Sequence, residues 1–184
     1  MEFLGHVLSK DGISKSPEFI KKVSKFPKPN NVNELRSYLG LVNFQRKFGD
    51  KFAEIAKPLS EITGGEKKEK IEWNEEREKA FEQLKEEVKK EVTLSYPDYS
   101  SKADLMELFV DASGTGAGAC LRQRQEGEYR TIGYSSISFS QSQQNYSTIE
   151  RELTAIRWAC ENFQTVCVWS VSYTHLTLPT NREV

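Results

Sequence analysis

The spacing of the apolar residues changes at Pro97-Asp98, and that switch restricts the chain to a mixed fold with its two kinds of element segregated along the sequence. Before it, apolar residues recur at helical intervals. Leu35, Tyr38, Leu39 and Val42 share one helical face, and so do Ala80, Phe81, Leu84 and Val88. After it, Leu105 to Ala112 is an apolar run with strand propensity. Gly114, Gly116 and Gly118 form a turn into a second strand through Leu121. Gly127 marks a further turn, and Tyr129 to Ser135 reads as a third strand. Strands joined by such short turns form an antiparallel meander. A helix from about Ser147 to Phe163 follows, with Leu153, Ile156, Ala159 and Cys160 as its expected buried face. The expected class is α+β, a mainly helical segment followed by three antiparallel strands and a helix.

The helical part is punctuated by capping signals. Ser16 before Pro17 combines a capping hydroxyl with proline at the first helical position. Phe19, Ile20 and Val23 supply that helix's apolar stripe, and Pro27 and Pro29 end it. Asn31 with Glu34 three residues on has the spacing of a capping box. Phe44, Phe48, Phe52 and Ile55 continue the apolar spacing towards Pro58. Residues 64–72 are glycine-led and charged and read as a mobile connection. Asn74 caps a helix from about Glu75 to Lys90, whose Glu78, Glu82 and Glu86 lie at pairing distance from lysines. Phe3 to Leu8 reads as a strand, with a turn at Lys10-Asp11-Gly12. Residues 171–184 fit neither pattern and are expected to be a non-native or disordered tail.

Net charge excludes a strongly basic chain, at −1 overall. The distribution is uneven. Residues 1–63 carry 11 Lys/Arg against 7 Asp/Glu, a net of +4, which is the end suited to a phosphate backbone. Residues 64–100 carry 8 against 11, and residues 101–184 carry 7 against 9. Cys120, Cys160 and Cys167 are odd in number and share no repeating spacing, so they suggest inert or buried thiols in a reducing compartment rather than a disulfide framework. No CxxC pair or Cys/His cluster suggests zinc. No apolar run approaches a membrane span, and no signal-peptide pattern opens the chain.

The candidate chemistry lies in three carboxylates. Asp111 stands at the end of the Leu108-Phe109-Val110 run, before small residues. Glu150 and Glu152 stand at the start of the last helix. A strand-end Asp and a helix-start Glu supply the oxygen ligands that Mg²⁺ prefers. Two such ions about 3.5–4 Å apart would stabilise the attacking and leaving oxygens of phosphodiester hydrolysis. The same residues also have structural readings: an Asp before glycines as a turn former, a Glu at a helix start as a complement to the dipole.

The surrounding motifs point one way. Phe109-Val110-Asp111-Ala112-Ser113 with Gly116-Ala117-Gly118-Ala119 resembles the first strand and turn of the RNase H domain in gypsy-type retrotransposon polyproteins. Tyr134-Ser135-Ser136 and the segment from Asn145 through Glu150-Arg151-Glu152-Leu153-Thr154-Ala155-Ile156 resemble its third strand and first helix. Glu2-Phe3-Leu4-Gly5-His6 resembles the reverse-transcriptase primer grip. The run from Val32 to Phe44, with Ala56-Lys57-Pro58-Leu59, resembles the helical segment behind it. Trp73 with Ala80-Phe81 and Leu84-Lys85 resembles the connection to RNase H.

The resemblance implies a reverse-transcriptase primer-grip and thumb-like segment at 1–63, a connection with an amphipathic helix at 64–102, and the amino-terminal part of an RNase H-like domain at 103–166. It places the first catalytic and metal-binding Asp on Asp111 and the catalytic Glu on Glu152. It assigns Phe3, Leu4, Gly5 and His6 to contact with nucleic acid. The implied cofactor is Mg²⁺, with Mn²⁺ as a substitute. The implied partners are primer-template, RNA–DNA hybrid and the rest of the Pol polyprotein, without a membrane, and the implied location is intracellular, in cytoplasm or element particles. The parent would copy RNA into DNA and degrade the RNA of the hybrid. The polymerase's double-Asp motif and two further RNase H carboxylates are absent here, so the chain by itself is expected to be inactive. Two other readings stand beside this one. The first is a non-catalytic nucleic-acid-binding remnant. The second treats Asp111 to Gly118 as a phosphate-cradling loop of the actin and sugar-kinase type.

Overall fold

The computed structural model describes residues 1–49, 51–64 and 70–167. The expected connection at 64–72 lies partly outside these residues, and the tail at 171–184 wholly so. The chain opens with three short strands, β1 (Glu2–Phe3), β2 (His6–Ser9) and β3 (Gly12–Lys15). Helices α1 (Pro17–Ser24) and α2 (Val32–Asn43), a 3₁₀ turn at Arg46–Phe48, and helices α3 (Phe52–Thr63) and α4 (Glu75–Lys89) follow. Strand β4 (Thr93–Leu94) leads to β5 (Met106–Ala112), β6 (Gly116–Gln125) and β7 (Glu128–Ser138). Helices α5 (Gln141–Gln144) and α6 (Thr148–Cys167) complete an α+β architecture.

The caps form as the sequence suggests. Ser16 Oγ accepts from the Phe19 N–H at 3.2 Å, Asn31 Oδ1 from Glu34 at 2.9 Å, and Asn74 Oδ1 from Arg77 at 2.9 Å. Glu34 returns its bond one residue early, accepting from the Asn30 N–H at 2.8 Å. Three features differ from the sequence reading. The run Phe3 to Leu8 is broken at Leu4-Gly5, where a hairpin turn joins β1 to β2. The apolar spacing from Phe44 to Ile55 is not one helix, because α2 stops at Asn43 and a 3₁₀ turn intervenes. And α3 runs through Pro58 to Thr63, although proline removes the N–H that would reach the Glu54 carbonyl. Burial of Phe52, Ala56 and Leu59 around that gap holds the helix together.

The first body is built on one apolar core. Val23 from α1, Leu35, Tyr38 and Val42 from α2, Leu59 from α3, and Phe81, Leu84 and Val88 from α4 meet with almost no exposure. Tyr38 stacks obliquely on Phe81 and Phe26, and its hydroxyl donates to the Phe81 carbonyl at 3.3 Å. Trp73 closes one side, its Nε1 donating to the Pro29 carbonyl at 2.9 Å. Strand β4 joins this body as the last member of the sheet β1-β2-β3-β4. Gly12 makes that pairing possible, since a Cβ there would stand 2.1 Å from the Leu94 carbonyl oxygen.

The second body is the antiparallel sheet β5-β6-β7 with α6 across one face. Met106, Leu108 and Val110 of β5 and Ala119 and Leu121 of β6 face Ala159, Phe163 and Trp158. The buried stripe of α6 is therefore Ala155, Ala159 and Phe163, while Leu153 is 55% exposed and Cys160 is exposed. The helix lies on its small residues because alanine lets the sheet approach closely. Cys160 consequently departs from the buried-thiol expectation, and no disulfide forms among the described residues.

Leu84→Ala is expected to lower stability by about 2–5 kcal/mol, the usual range for emptying a fully buried leucine site. Urea unfolding with an unchanged slope and a lower midpoint would confirm it. A loss below about 0.5 kcal/mol would mean that the Tyr38 core does not hold the first body.

Candidate functional site

Strand β5 presents Asp111 at its penultimate position, with its Cα paired to that of Gly118. Alternation along the strand sets Phe109 and Asp111 on the face away from α6, while Val110 and Ala112 pack towards Ala155. Asp111 is exposed and lines a cleft of about 340 Å³ with Lys51, Glu54, Ser136 and Ser138. The turn after it is held by a different side chain. Ser113 Oγ accepts from the N–H groups of Thr115 and Gly116 at 3.2 and 3.1 Å, and donates to the Gly116 carbonyl at 3.1 Å. The Asp111 carboxylate makes no hydrogen bond or ion pair among the described residues, and the turn's side-chain bonds come from Ser113 instead.

The two glutamates divide in the same way. Glu150 accepts from both the N–H and the hydroxyl of Ser147 at 2.8 Å, and Ser147 Oγ accepts from the Glu150 N–H at 3.3 Å. This is a reciprocal cap at the start of α6. The bonds from Ser147, first from its backbone and then from its side chain, hold the Glu150 carboxyl below its usual pKa. Glu152 is half-buried, and its carboxylate has no hydrogen-bond or ion-pair partner among the described residues. Helix α6 runs antiparallel to β5, since Ala155 meets Val110 and Ala112 while Phe163 meets Met106 and Leu108. Its first turns therefore lie at the Asp111 end of the sheet, where Arg151 Nη1 stands 3.2 Å from a Cβ built on Gly114.

Asp111 and Glu152 thus share one end of the domain but not one face of β5. Their donor chemistry is that of a hard cation site. Among the described residues, no group of three or more His, Cys, Asp or Glu side chains could hold a metal ion. The carboxylates fit Mg²⁺ in kind, as two ligands.

The residues Phe3, Leu4, Gly5 and His6 form the tip of the β1–β2 hairpin. Leu4 has φ 48° and Gly5 φ 74°, both left-handed, as a two-residue hairpin turn of the primed type requires. Leucine there is strained. It is also 72% exposed, beside Phe3 at 55%. The turn is supported from beneath. The Gly5 carbonyl accepts from the Ser16 N–H at 3.1 Å and from Gln45 Nε2 at 3.5 Å, and the His6 ring stacks on Phe44 with centroids 4.9 Å apart. Burial, and then the Lys47 charge, push the His6 pKa below its ordinary value.

A further feature of the Asp111 face had no signal in the sequence. The Arg122 guanidinium lies 3.8 Å from the Phe109 ring centre and 4.9 Å from that of Tyr129, and the Tyr129 hydroxyl donates to Glu107 at 2.8 Å. These residues come from three strands, and only the register of the meander brings them together.

A family model described as an RNase H-like domain found in reverse transcriptase matches residues 73–171. The retrovirus-related Pol polyprotein from transposon gypsy of Drosophila melanogaster is 40% identical over 174 residues, covering 89% of this chain and 16% of that polyprotein. The transposon Tf2-3 polyprotein of Schizosaccharomyces pombe is 34% identical over 157 residues, 85% of this chain and 11% of its own length. Among solved structures, a foamy viral protease–reverse transcriptase in complex with an RNA/DNA hybrid aligns with a TM-score of 0.77 at 25% identity. That alignment covers 89% of this chain and 22% of the viral one. The same type of protein in complex with dsDNA gives 0.76 at 26% identity, over 90% of this chain and 34% of that one.

Because its pKa is lowered on folding, His6 favours the folded state fully above pH 6.5, and this contribution is lost as pH falls through the folded value. An NMR titration of the His6 ring is expected to give a midpoint below 6.5, with Lys47→Gln raising it. A midpoint at or above 6.5 would contradict the buried, stacked environment.

Proposed function

The chain belongs to the family of RNase H-like domains found in reverse transcriptases, and from that premise we propose that it contributes to the binding and cleavage of RNA–DNA hybrids within a retrotransposon Pol polyprotein. The observation that carries the reading is the separation of the three candidate carboxylates by partnership. Glu150 is consumed by the cap of α6, whereas Asp111 and Glu152 are unpartnered at the same end of the sheet. A carboxylate with no partner is available to a cation. In this reading Asp111 and Glu152 would hold Mg²⁺, or Mn²⁺ in its place. The bound ion would supply charge stabilisation to the scissile phosphate and lower the pKa of an attacking water. The chain's own part is to hold two carboxylates in place: Asp111 by the β5–β6 register, Glu152 by α6 packed through Ala155 and Ala159.

The hairpin tip of Phe3, Leu4, Gly5 and His6 is proposed to meet the nucleic acid. It offers an exposed apolar turn on a supported base, and relatives of this fold bind an RNA/DNA hybrid and dsDNA. Primer-template and the remainder of the polyprotein are the proposed partners, within the cell. DNA synthesis on RNA belongs to the whole polyprotein under this proposal, since this chain spans 16% of its gypsy relative. Two-metal hydrolysis needs oxygen ligands for both ions. With only Asp111 and Glu152 assigned to the cation, the chain alone is proposed to bind hybrid without cutting it efficiently.

In a polyprotein context, Glu152→Gln and Asp111→Asn are each expected to abolish hybrid cleavage in Mg²⁺, while Glu150→Gln leaves it largely intact. A gel assay on labelled hybrid reads this. Loss of cleavage in Glu150→Gln with retention in Glu152→Gln would reverse the assignment. Efficient cleavage by the isolated chain, lost in Asp111→Asn, would contradict its proposed inactivity.

A further inference from the structure

The helical body and the β5–β6–β7 sheet touch along a narrow front. Three clefts of about 340, 470 and 370 Å³ open between them, each lined from both sides. Direct hydrogen bonds gather at the Ala53 backbone, which meets Ser136 and Ser138 of β7. Bodies joined over such a polar front move relative to one another unless something else restrains them. The candidate restraint is the connection between β4 and β5, residues 95–105, which contains no helix or strand.

That connection is tied down by a buried amide. Gln123 of β6 is 1% exposed and lies on the same sheet face as Ala119 and Leu121. Its Oε1 accepts from the Asp98 N–H at 2.8 Å and from Gln125 Nε2 at 3.0 Å. Its Nε2 donates to the Asp98 carbonyl at 2.8 Å and to the Asp104 carbonyl at 2.9 Å. Both amide hydrogens and both oxygen lone pairs are therefore used. The two bonds to Asp98 are those a neighbouring strand would make, so a side chain stands in for backbone pairing where the connection forms no strand.

Further bonds run from this point to both bodies. Gln125 Nε2 also donates to the Tyr96 carbonyl at 2.8 Å, and the Tyr96 hydroxyl donates to the Gly12 carbonyl of β3 at 3.4 Å. The Ser95 N–H donates to the Thr131 carbonyl of β7 at 2.7 Å. Near the described end of α6, the Val166 carbonyl accepts from the Tyr99 hydroxyl at 2.9 Å. Along β7, Thr131 stands roughly 17 Å from Ser136 at the usual rise of a strand. One front of contact leaves a rotation open, and a second attachment at that distance removes it.

We propose that Gln123 is a positioning residue for hybrid cleavage: through residues 95–105 it locks the sheet that carries Asp111 to the helical body that carries the hairpin tip. Being buried, it acts only through the connection. What it sets is the span between the two proposed contacts along a duplex. The cleavage half of this proposal rests on the function proposed above, whereas the lock stands on the hydrogen bonds alone.

Residual dipolar couplings of the isotopically labelled full chain read the lock directly. In the wild type, one alignment tensor is expected to fit the amides of α2 and α4 together with those of β6 and β7. Gln123→Met keeps the length of the side chain and loses every amide bond. Each body of that variant should still fit a tensor of its own, and the two tensors should diverge. Two tensors in the wild type, or a single tensor for both bodies of folded Gln123→Met, would overturn the lock. Should that variant not fold, Gln125→Met and Tyr96→Phe remove the neighbouring bonds at partly exposed sites, and a single tensor in both would overturn it equally. In a polyprotein context, cuts in an RNA–DNA hybrid, measured from the primer end, should widen from one register to several in Gln123→Met, with hybrid affinity little changed. A register as sharp as that of the wild type, beside diverged tensors, would overturn the positioning role. A wild-type polyprotein that cuts no hybrid would overturn the function proposed above and the positioning role with it, and leave the lock to the couplings.

Discussion

Strand β7 is the element on which the arrangement of this protein depends, because both bodies use it. On one edge it pairs with β6 over its whole length, interrupted only by a register shift near Leu121 and Arg122. The helical body reaches it through a few polar contacts. Ser136 Oγ accepts from the Ala53 N–H at 3.0 Å, the Ser138 hydroxyl donates to the Ala53 carbonyl at 3.3 Å, and the Ser95 N–H donates to the Thr131 carbonyl at 2.7 Å. These bonds satisfy an N–H of the first turn of α3 and a carbonyl of an otherwise unpaired strand edge. They are also directional, so they set the position of the sheet on the helices more tightly than apolar packing would.

Consequences spread from that junction to each functional element. Helix α3 and β7 together enclose the cleft that Asp111 lines, since Lys51 and Glu54 form its opposite wall. Behind the 3₁₀ turn, Phe44 and Gln45 support His6 and Gly5 at the hairpin tip. The Asp111 cleft and the hairpin tip are thus tied to one seam, although they come from segments more than one hundred residues apart in the sequence.

What could be read from the sequence was local or strongly periodic. The caps at Ser16, Asn31 and Asn74 depend on neighbours two or three residues away, and all three form. The face of α4 was legible because four large or small apolar residues fall on one stripe of an otherwise charged helix. Features that depend on distant partners were not legible. Strand β4 has two residues and exists only because β3, some eighty positions earlier, accepts it beside Gly12. The face of α6 was misread because Leu153 and Cys160 are more apolar in type than Ala155, yet the sheet selected the smaller side chain. At the site, motif likeness singled out Asp111 and Glu152 and separated Glu150 from them, and the capping bonds of Ser147 supply a physical reason for that separation.

The central claim is that Asp111 and Glu152, and not Glu150, hold a divalent cation at the end of β5. Paramagnetic Mn²⁺ tests this without any need for turnover. Titrated into isotopically labelled chain, it is expected to broaden the amide resonances around Asp111 and Glu152 first, with excess Mg²⁺ reversing the effect and Asp111→Asn removing it. Broadening centred on other carboxylates, or broadening at Asp111 that survives the substitution, would contradict the account.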